Sequence, residues 1–455
     1  MRLSLARIRH WLGLSPGGPG SVARGYSIDS RTIRPGDLFF AIRGPRHDGH
    51  DYVGDVMRRG AAAAVVDASF RGEGRDTVLH VPDTARALRT LAGRARADWG
   101  RTVIAITGSG GKTTTKEVTA ALLSESLAVA RSEGNLNNEY GLPLSLLRIP
   151  DEARAAVVEI GINHAGEMQP LAETAAPDVS VVTNVGPAHL GNFESVDEIA
   201  REKGKLVEAL GGEGVAVLNA DDPRVFGFRK LHRGPTVTFG IERQADVRAT
   251  DVEEFGADGV RFRLGGRTMA SSLPGRHSVY NILASIAAMR CVGPDPERLQ
   301  DAVARLRPGA MRGRVRKSGG VTVIDDCYNA NPAAMASMLE VLRRTEAARR
   351  IAVLGEMREL GRSSREFHRR VGAAVASAGV DYLVAVGGDA AQIAESAGVP
   401  SEFHECPSAA ARRLQGFVRS GDAILIKASR GVGLERVRDP LLELLGCEGT
   451  ERAAV

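Results

Sequence analysis

An α/β chain of three domains is what this sequence predicts, and three observations predict it. At 102–117 (TVIAITGSGGKTTTKE) an apolar run breaks into a glycine-rich turn that ends in Gly111-Lys112-Thr113 and enters a helix-forming stretch. Beyond it, short apolar runs alternate with helical stretches, the pattern of a mainly parallel sheet covered by helices on both faces. The 455 residues are too many for one ordinary core and suit roughly two to four domains.

The first block, 1–100, is expected to be a small α/β domain. Strand-like pieces at 37–42 (DLFFAI) and 61–66 (AAAAVV) lie between turns rich in Gly, Pro and Asp, and a helix pattern over 84–99 closes it, its arginines read as a solvated face. The second, 101–308, starts near the glycine loop and carries buried-type strands at 155–160, 179–183 and 215–219, then helix patterns at 278–290 and 296–306. Pro308-Gly309 marks its end. The third, 309–455, repeats the alternation with strands at 321–324, 351–354, 382–386 and 423–427, a Rossmann-like pattern.

Composition narrows the function. Sixty Lys and Arg against 55 Asp and Glu leave a formal +5, which favours anionic ligands without requiring nucleic acid. Aromatics make up 4% and no basic tract interleaves them, so a nucleic-acid groove is not expected. Cys291, Cys327, Cys406 and Cys447 show no C-x-x-C spacing, which argues against a zinc site or a disulfide framework and fits a reducing cytoplasm. The opening MRLSLARIRHWLGLSPGGPG interrupts its apolar residues with Arg and His, and no apolar stretch is long enough to span a bilayer. A cytoplasmic protein without membrane insertion is expected.

A buried strand feeding a glycine loop and then a helix points backbone N–H groups and a helix dipole at phosphate oxygens. The first glycine of the strict G-x-x-x-x-G-K-T form would fall at Ile106, so the loop is the shorter T-G-x-x-G-K-T kind. Gly108, Ser109, Gly110, Gly111, Lys112, Thr113 and Thr114 are therefore expected to hold a nucleotide triphosphate, with Lys112 on the outer phosphates and the Thr113 hydroxyl on Mg2+. This makes the second block a P-loop ATPase-like parallel-sheet domain.

Two polar clusters follow strands of that block, where open α/β sheets place their ligands. Glu159 ends AAVVEI before Gly161-Ile162-Asn163-His164, and a carboxylate there suits magnesium; alone it would read as an exposed loop glutamate. His189 follows VSVVT in 184–190, with Lys203 and Lys205 further on. A lone loop histidine is more often structural, but two such clusters beside one phosphate loop favour a second metal.

In order along essentially the whole chain, TGSGGKTTTKE, GNLNNEYGLPLSLL (134–147), EIGINHAGEM (159–168), TNVGPAHLGNFES (183–195), LNADD (218–222), PGRHSVYNILASIAA (274–288) and VIDDCYNANP (323–332) resemble the Mur ligases. These enzymes form amide bonds on the cytoplasmic precursor of bacterial peptidoglycan. GSxGKTTTKE, GEMRELG (355–361) and LIKASR (425–430) resemble the dipeptide-adding branch, whereas the D-N-P-R and G-K-G-H-E segments of the sister that adds diaminopimelate or lysine are absent.

The resemblance implies an ATP- and Mg2+-dependent, ADP-forming ligase that joins D-alanyl-D-alanine to UDP-N-acetylmuramoyl-tripeptide through an acyl phosphate, acting as a monomer. By the same resemblance Lys112, Glu159, His189, Lys203 and Arg314 are catalytic, and Thr113, Glu159, His189 and a carbamylated Lys203 surround the metal. Asn281 would meet the adenine, and Arg314 and Asp326 would bring the third domain onto the γ-phosphate and ribose. Ser30 and Arg31 in 27–31, and His47 in 44–50 (GPRHDGH), would grip the uridine diphosphate; unaided, GPRHDGH reads as a polar turn. Asn137 and Asn138 would lie near the muramoyl peptide.

The chain departs from the pattern at Lys205, where Glu is common, at Leu434 for Met and at Ala428 for Gly. Arg312-Gly313-Arg314 is a candidate hinge. The rival readings are a related ligase acting on folate or another precursor, a P-loop kinase or ATPase, and a binding protein that keeps the fold without catalysis.

Overall fold

Strands covered on both faces read as near-continuous apolar runs, and Ala63–Val66, Ala155–Glu159, Val179–Val182 and Asp422–Lys427 are buried throughout, with polar residues mainly at their ends. The computed structural model describes residues 1–17, 20–72, 76–293 and 295–446. It places these strands in three main sheets, one for each expected block.

In the first, Gly25–Ser27, Asp37–Phe40, Ala63–Val66 and Val78–His80 pair in parallel and in chain order. Helix Thr84–Trp99 runs from an Asp83 N-cap to Gly100, whose φ of 62° ends it. Its Leu88, Leu91 and Ala92 share one core with Leu38 and Phe40 of this sheet and with Leu146 and Leu171 of the second block. The solvated arginine face needs one correction. Arg96 is buried and donates to the carbonyls of Ala175 and Ala176 (3.0 and 2.9 Å) and to Asp178 (2.8 Å). A cation at the end of helix Met168–Ala175 meets the negative pole of its dipole, worth up to about 2 kcal/mol in partly buried geometry. Asp178 also accepts the Val103 N–H, so this ion pair sets the start of the strand that leads to the glycine loop.

That strand, Thr102–Thr107, lies inside a nine-stranded sheet between Val179–Val182 and Ala155–Glu159, parallel to both. Val215–Asn219 and Thr236–Gly240 continue the parallel order. The far edge is an antiparallel ribbon of Val247–Glu254, Val260–Leu264 and Arg267–Ser271. Here Val260, Phe262 and Leu264 alternate inward with Arg261 and Arg263 outward, a one-sided strand without the continuous apolar run that marks the parallel ones. Helix Arg276–Arg290 packs on helix Lys112–Leu123, with Ser285 donating to the Thr115 carbonyl at 3.1 Å. The helix expected at 296–306 is shorter, Leu299–Arg305.

The third sheet is parallel except for its edge strand Arg314–Ser318. Asp422–Lys427 inserts between Val321–Asp326 and Arg349–Gly355, so Asp326, Gly355 and Lys427 end three adjacent strands on one side. Ala428 and Leu434 are fully buried. The Ala428 Cβ would stand 2.6 Å from any Cβ on Gly355, so the alanine is tolerated because the facing residue is glycine. Cys291, Cys327 and Cys406 form no disulfide, and Cys447 lies outside the described residues. Among the described residues no helix is long and apolar enough to cross a membrane.

Gly313 joins the second and third blocks at φ 74°, and a Cβ there would approach Pro274 Cγ to 3.2 Å. Gly313→Val is expected to lower turnover at least several-fold while shifting stability by about 1–3 kcal/mol, the cost of a strained φ. Steady-state rates beside a thermal melt check it, and unchanged turnover in a folded variant would remove Gly313 from domain movement.

Candidate active site

The glycine loop is held in shape by the end of the neighbouring strand. Ser109 N–H donates to the Asn184 carbonyl and Gly110 N–H to Asn184 Oδ1, both at 2.9 Å, while Thr183 Oγ1 donates to the Gly110 carbonyl at 2.6 Å. Ser109 Oγ donates to the Gly186 carbonyl at 2.9 Å. Gly108 sits at φ 153°, where a Cβ would fall 1.9 Å from Thr183 Oγ1, and Gly111, at φ 79°, would place one 2.3 Å from Asn281 Oδ1. Both glycines are thus required by close approach as well as by conformation. Helix Lys112–Leu123 starts with no side-chain cap, so its first N–H groups remain available to an anion.

Around this helix start opens a cleft of about 1110 Å³ between the second and third blocks. Lys112 donates to the Gly108 carbonyl at 3.0 Å, and burial, then nearby Arg312, lowers its pKa against the opposing pull of Glu159. Thr113 Oγ1 donates to Glu159 Oε2 at 2.6 Å and Asn137 Nδ2 to Glu159 Oε1 at 2.7 Å. A hydroxyl and a carboxylate are hard oxygen donors that suit magnesium, which typically takes one or two protein oxygens and completes its shell with phosphate and water. No group of three or more His, Cys, Asp or Glu forms a self-sufficient metal cage among the described residues.

His189 lies on the cleft wall at φ 58°, its Nδ1 bonded to Glu359 of the third block. Lys203, on helix Val196–Glu208, is buried and has no hydrogen-bond or ion-pair partner among the described residues. Burial first, and then the neighbouring Lys112 charge, drive its pKa well below the ordinary lysine value. Lys205 does not compete for this space, because it pairs with Glu202. Asn281, buried under Gly111, also accepts from Thr115 Oγ1 at 3.3 Å. The expected loop, Glu159, His189, Asn137, Asn138, Asn281 and Asp326 all line the one cleft, apart from Gly108 and Lys203, which lie behind its surface.

Arg314 opens the edge strand opposite Asp325 and does not line the cleft, whereas Arg312 does, its guanidinium 3.9 Å over the Tyr328 ring. The residue before Gly313 turns toward the cleft and the one after it joins the ladder. The first-block residues are also absent from this cleft. Ser30 and Arg31 form a short turn capped by Asp29, with Arg31 exposed, and His47 is exposed. The ordered histidine of GPRHDGH is His50. Its Nε2 accepts the Asp67 N–H (2.9 Å), so Nδ1 carries the proton and donates to Asp48 (2.6 Å).

Two lysines went unread in the sequence. Lys427 ends its strand beside Asp326, pairs with it and donates to the Asn329 carbonyl at 2.9 Å; a lysine closing an apolar strand was the available signal. Lys116 is fully buried and donates to the Ser132 carbonyl at 2.6 Å, while Ser132 Oγ accepts the Glu159 N–H at 3.1 Å. The helix that begins at the phosphate loop thereby fixes the 132–138 segment that carries Asn137.

Family models match three stretches: the Mur ligase family catalytic domain at 23–96, the Mur ligase middle domain at 106–289 and the Mur ligase glutamate ligase domain at 311–430. The UDP-N-acetylmuramoyl-tripeptide--D-alanyl-D-alanine ligase of Synechocystis sp. is 36% identical over 421 residues, covering 91% of each chain. That of Escherichia coli K12 is 34% identical over 433 residues, covering 92% of this chain and 93% of its own. Among solved structures, MurF from Acinetobacter baumannii superposes with a TM-score of 0.89 at 28% identity, covering 97% of this chain and 99% of that one. MurF ligase from Thermotoga maritima in complex with ADP gives 0.84 at 30%, covering 94% and 99%.

Because the native state disfavours a protonated Lys203, the unfolded chain binds the extra proton between the lowered native pKa and the ordinary lysine value, and stability rises with pH across that window. Lys203→Met is therefore expected to abolish activity yet, compared with wild type freed of carbon dioxide, to raise the melting temperature, most at the acidic end. Melts from pH 6 to 10 check the sign; a gain that grew with pH would contradict it.

Proposed function

The chain belongs to the Mur ligase family, and on that premise we propose that it joins D-alanyl-D-alanine to UDP-N-acetylmuramoyl-tripeptide at the expense of ATP. The observation that carries this reading is the cleft itself: a phosphate loop with Lys112 on one wall faces Arg312, Asp326 and Lys427 on the other, so both domains present cations to one cleft, an arrangement suited to a polyanion. The relatives named for this ligation match the chain over nine-tenths of its length.

The tripeptide carboxylate attacks the γ-phosphorus, ADP leaves, and an acyl phosphate forms. The neutral amine of the dipeptide then attacks the acyl carbon and phosphate departs. No covalent enzyme intermediate is required. Both reactants of the first step are anions, so the chain's main task is to offset their repulsion with cations held in place beforehand. Lys112 and Arg312 do this from opposite walls, and the loop N–H groups add their dipoles. A magnesium ion entering with ATP would be held by the Thr113 hydroxyl and the Glu159 carboxylate and would neutralise further phosphate charge. Closing the third domain brings Arg312 and Lys427 inward and keeps water from the acyl phosphate.

Lys203 completes the proposal. Its lowered pKa supplies the neutral amine that adds to carbon dioxide, and the resulting carbamate would turn an unpaired buried amine beside Lys112 into an anion paired with that lysine. In protein supplied with labelled bicarbonate, a carbamate 13C resonance that disappears in Lys203→Met is expected; its absence from the wild type would restrict Lys203 to the unmodified amine.

Phosphate release from ATP with UDP-N-acetylmuramoyl-tripeptide, measured with and without D-alanyl-D-alanine and matched to pentapeptide by mass, tests the whole reading. Release that requires the dipeptide and equals product is expected. Release indifferent to it would favour an ATPase, and activity on folate would assign a related ligase.

A further inference from the structure

At the rim of the cleft the 189–192 turn of the second domain meets the 355–361 loop of the third. Gly191 N–H donates to the Glu359 carbonyl at 2.8 Å. Gly191 and Gly361 touch so closely that a Cβ on Gly361 would stand 2.7 Å from Gly191 Cα, and one on Gly191 would stand 3.0 Å from the Gly361 nitrogen. The Glu359 carboxylate is bonded to His189 Nδ1. His189 and Glu359 both take left-handed backbone conformations, φ 58° and 66°, which residues with side chains keep only where surrounding contacts hold them.

We infer that Glu359 is a positioning residue which, arriving with the third domain, orients the His189 ring and so couples domain closure to completion of the nucleotide and metal site. A carboxylate can only accept, so Nδ1 donates to Glu359 and the ring is held with Nε2, the nitrogen with no other partner among the described residues, turned away from the third domain. With the domains apart, no third-domain carboxylate reaches Nδ1, and the ring loses its fixed orientation. The paired glycines are what allow the two loops to approach closely enough. What His189 serves rests on the ligase reading; the contact between the domains does not.

The test uses the full chain with Mn2+ as the metal probe and a non-hydrolysable ATP analogue, reading bound Mn2+ by electron paramagnetic resonance. Glu359→Ala is expected to weaken Mn2+ about tenfold or more, the usual cost of losing a carboxylate behind a ligating histidine. Glu359→Gln, which keeps an acceptor for Nδ1–H, should restore binding to within about threefold, a rescue that a charge clasp alone would not give. Gly361→Val should weaken Mn2+ as Glu359→Ala does and shift the distance between spin labels on the second and third domains, because it blocks the glycine contact. Glu359 is half-exposed on a surface loop, so its removal does not threaten folding. Glu359→Ala binding Mn2+ within twofold of the wild type, or Gly361→Val leaving the interdomain distance unchanged, would overturn the inference. Wild-type protein that binds Mn2+ in this pattern yet makes no pentapeptide would instead overturn the ligase reading and leave the coupling standing.

Discussion

The active cleft depends on one clamp, the grip of the Thr183-Asn184 strand end on the glycine loop. A loop of four small residues has little rigidity of its own, and its N–H groups converge on an anion only if something outside holds the backbone. Thr183 and Asn184 supply that hold with side chain and backbone together, and they can do so because their strand lies directly beside the one that feeds the loop. The register of two parallel strands thus sets the geometry of a phosphate site. The polar sequence after the second strand both supports the loop and lines the cleft from Thr183 to Pro187, and its far end, at His189, also meets the third domain.

Buried cations are the second theme. Lys112, Lys116, Lys203 and Lys427 crowd the interior around the cleft, where an unpaired charge is costly. Lys116 is neutralised by carbonyls and Glu117, Lys427 by Asp326, and Lys112 leans on a loop carbonyl within reach of Glu159. Lys203 has no such relief, and the proximity of Lys112 makes its position worse. A site designed only for stability would place an apolar residue there. Lys203 is instead driven toward its neutral form, which leaves Lys112 as the charge fixed in advance that needs no reorganisation when the anions arrive.

The third domain completes the arrangement from across the cleft. Asp325 and Asp326 occupy successive positions of one strand and therefore point to opposite faces. Asp325 turns inward to Arg438 and Cys327, and Asp326 turns to Lys427 and the cleft. Burial and then the Asp325 charge push the Cys327 thiol up, so it stays a protonated core group. The pair shows how one acidic dipeptide divides its work between anchoring the domain and facing the ligand.

The α/β class, the phosphate loop, the central parallel strands and helix Thr84–Trp99 were legible in the sequence because each rests on local chemistry: apolar runs of strand length, glycines that demand close approach, and caps at fixed offsets. Strand ends were legible as candidate ligand positions for the same reason, and Glu159 and His189, read there, line the cleft together with Asp326, which only the family resemblance had pointed to. The antiparallel ribbon escaped, since its alternation is weaker than a continuous run. That Arg312 and not Arg314 lines the cleft was not legible, because two residues apart on a connecting segment say nothing about which one faces it. Buried Arg96, the anchoring role of Lys116 and the meeting of His189 with Glu359 could not be read at all. Each depends on partners 16 to 170 positions away. The sequence by itself determined which chemistry the chain carries and on which strand ends it sits. Only the tertiary structure decided which charges face one another, because side-chain pairing across domains is fixed by packing in three dimensions and leaves no periodicity along the chain.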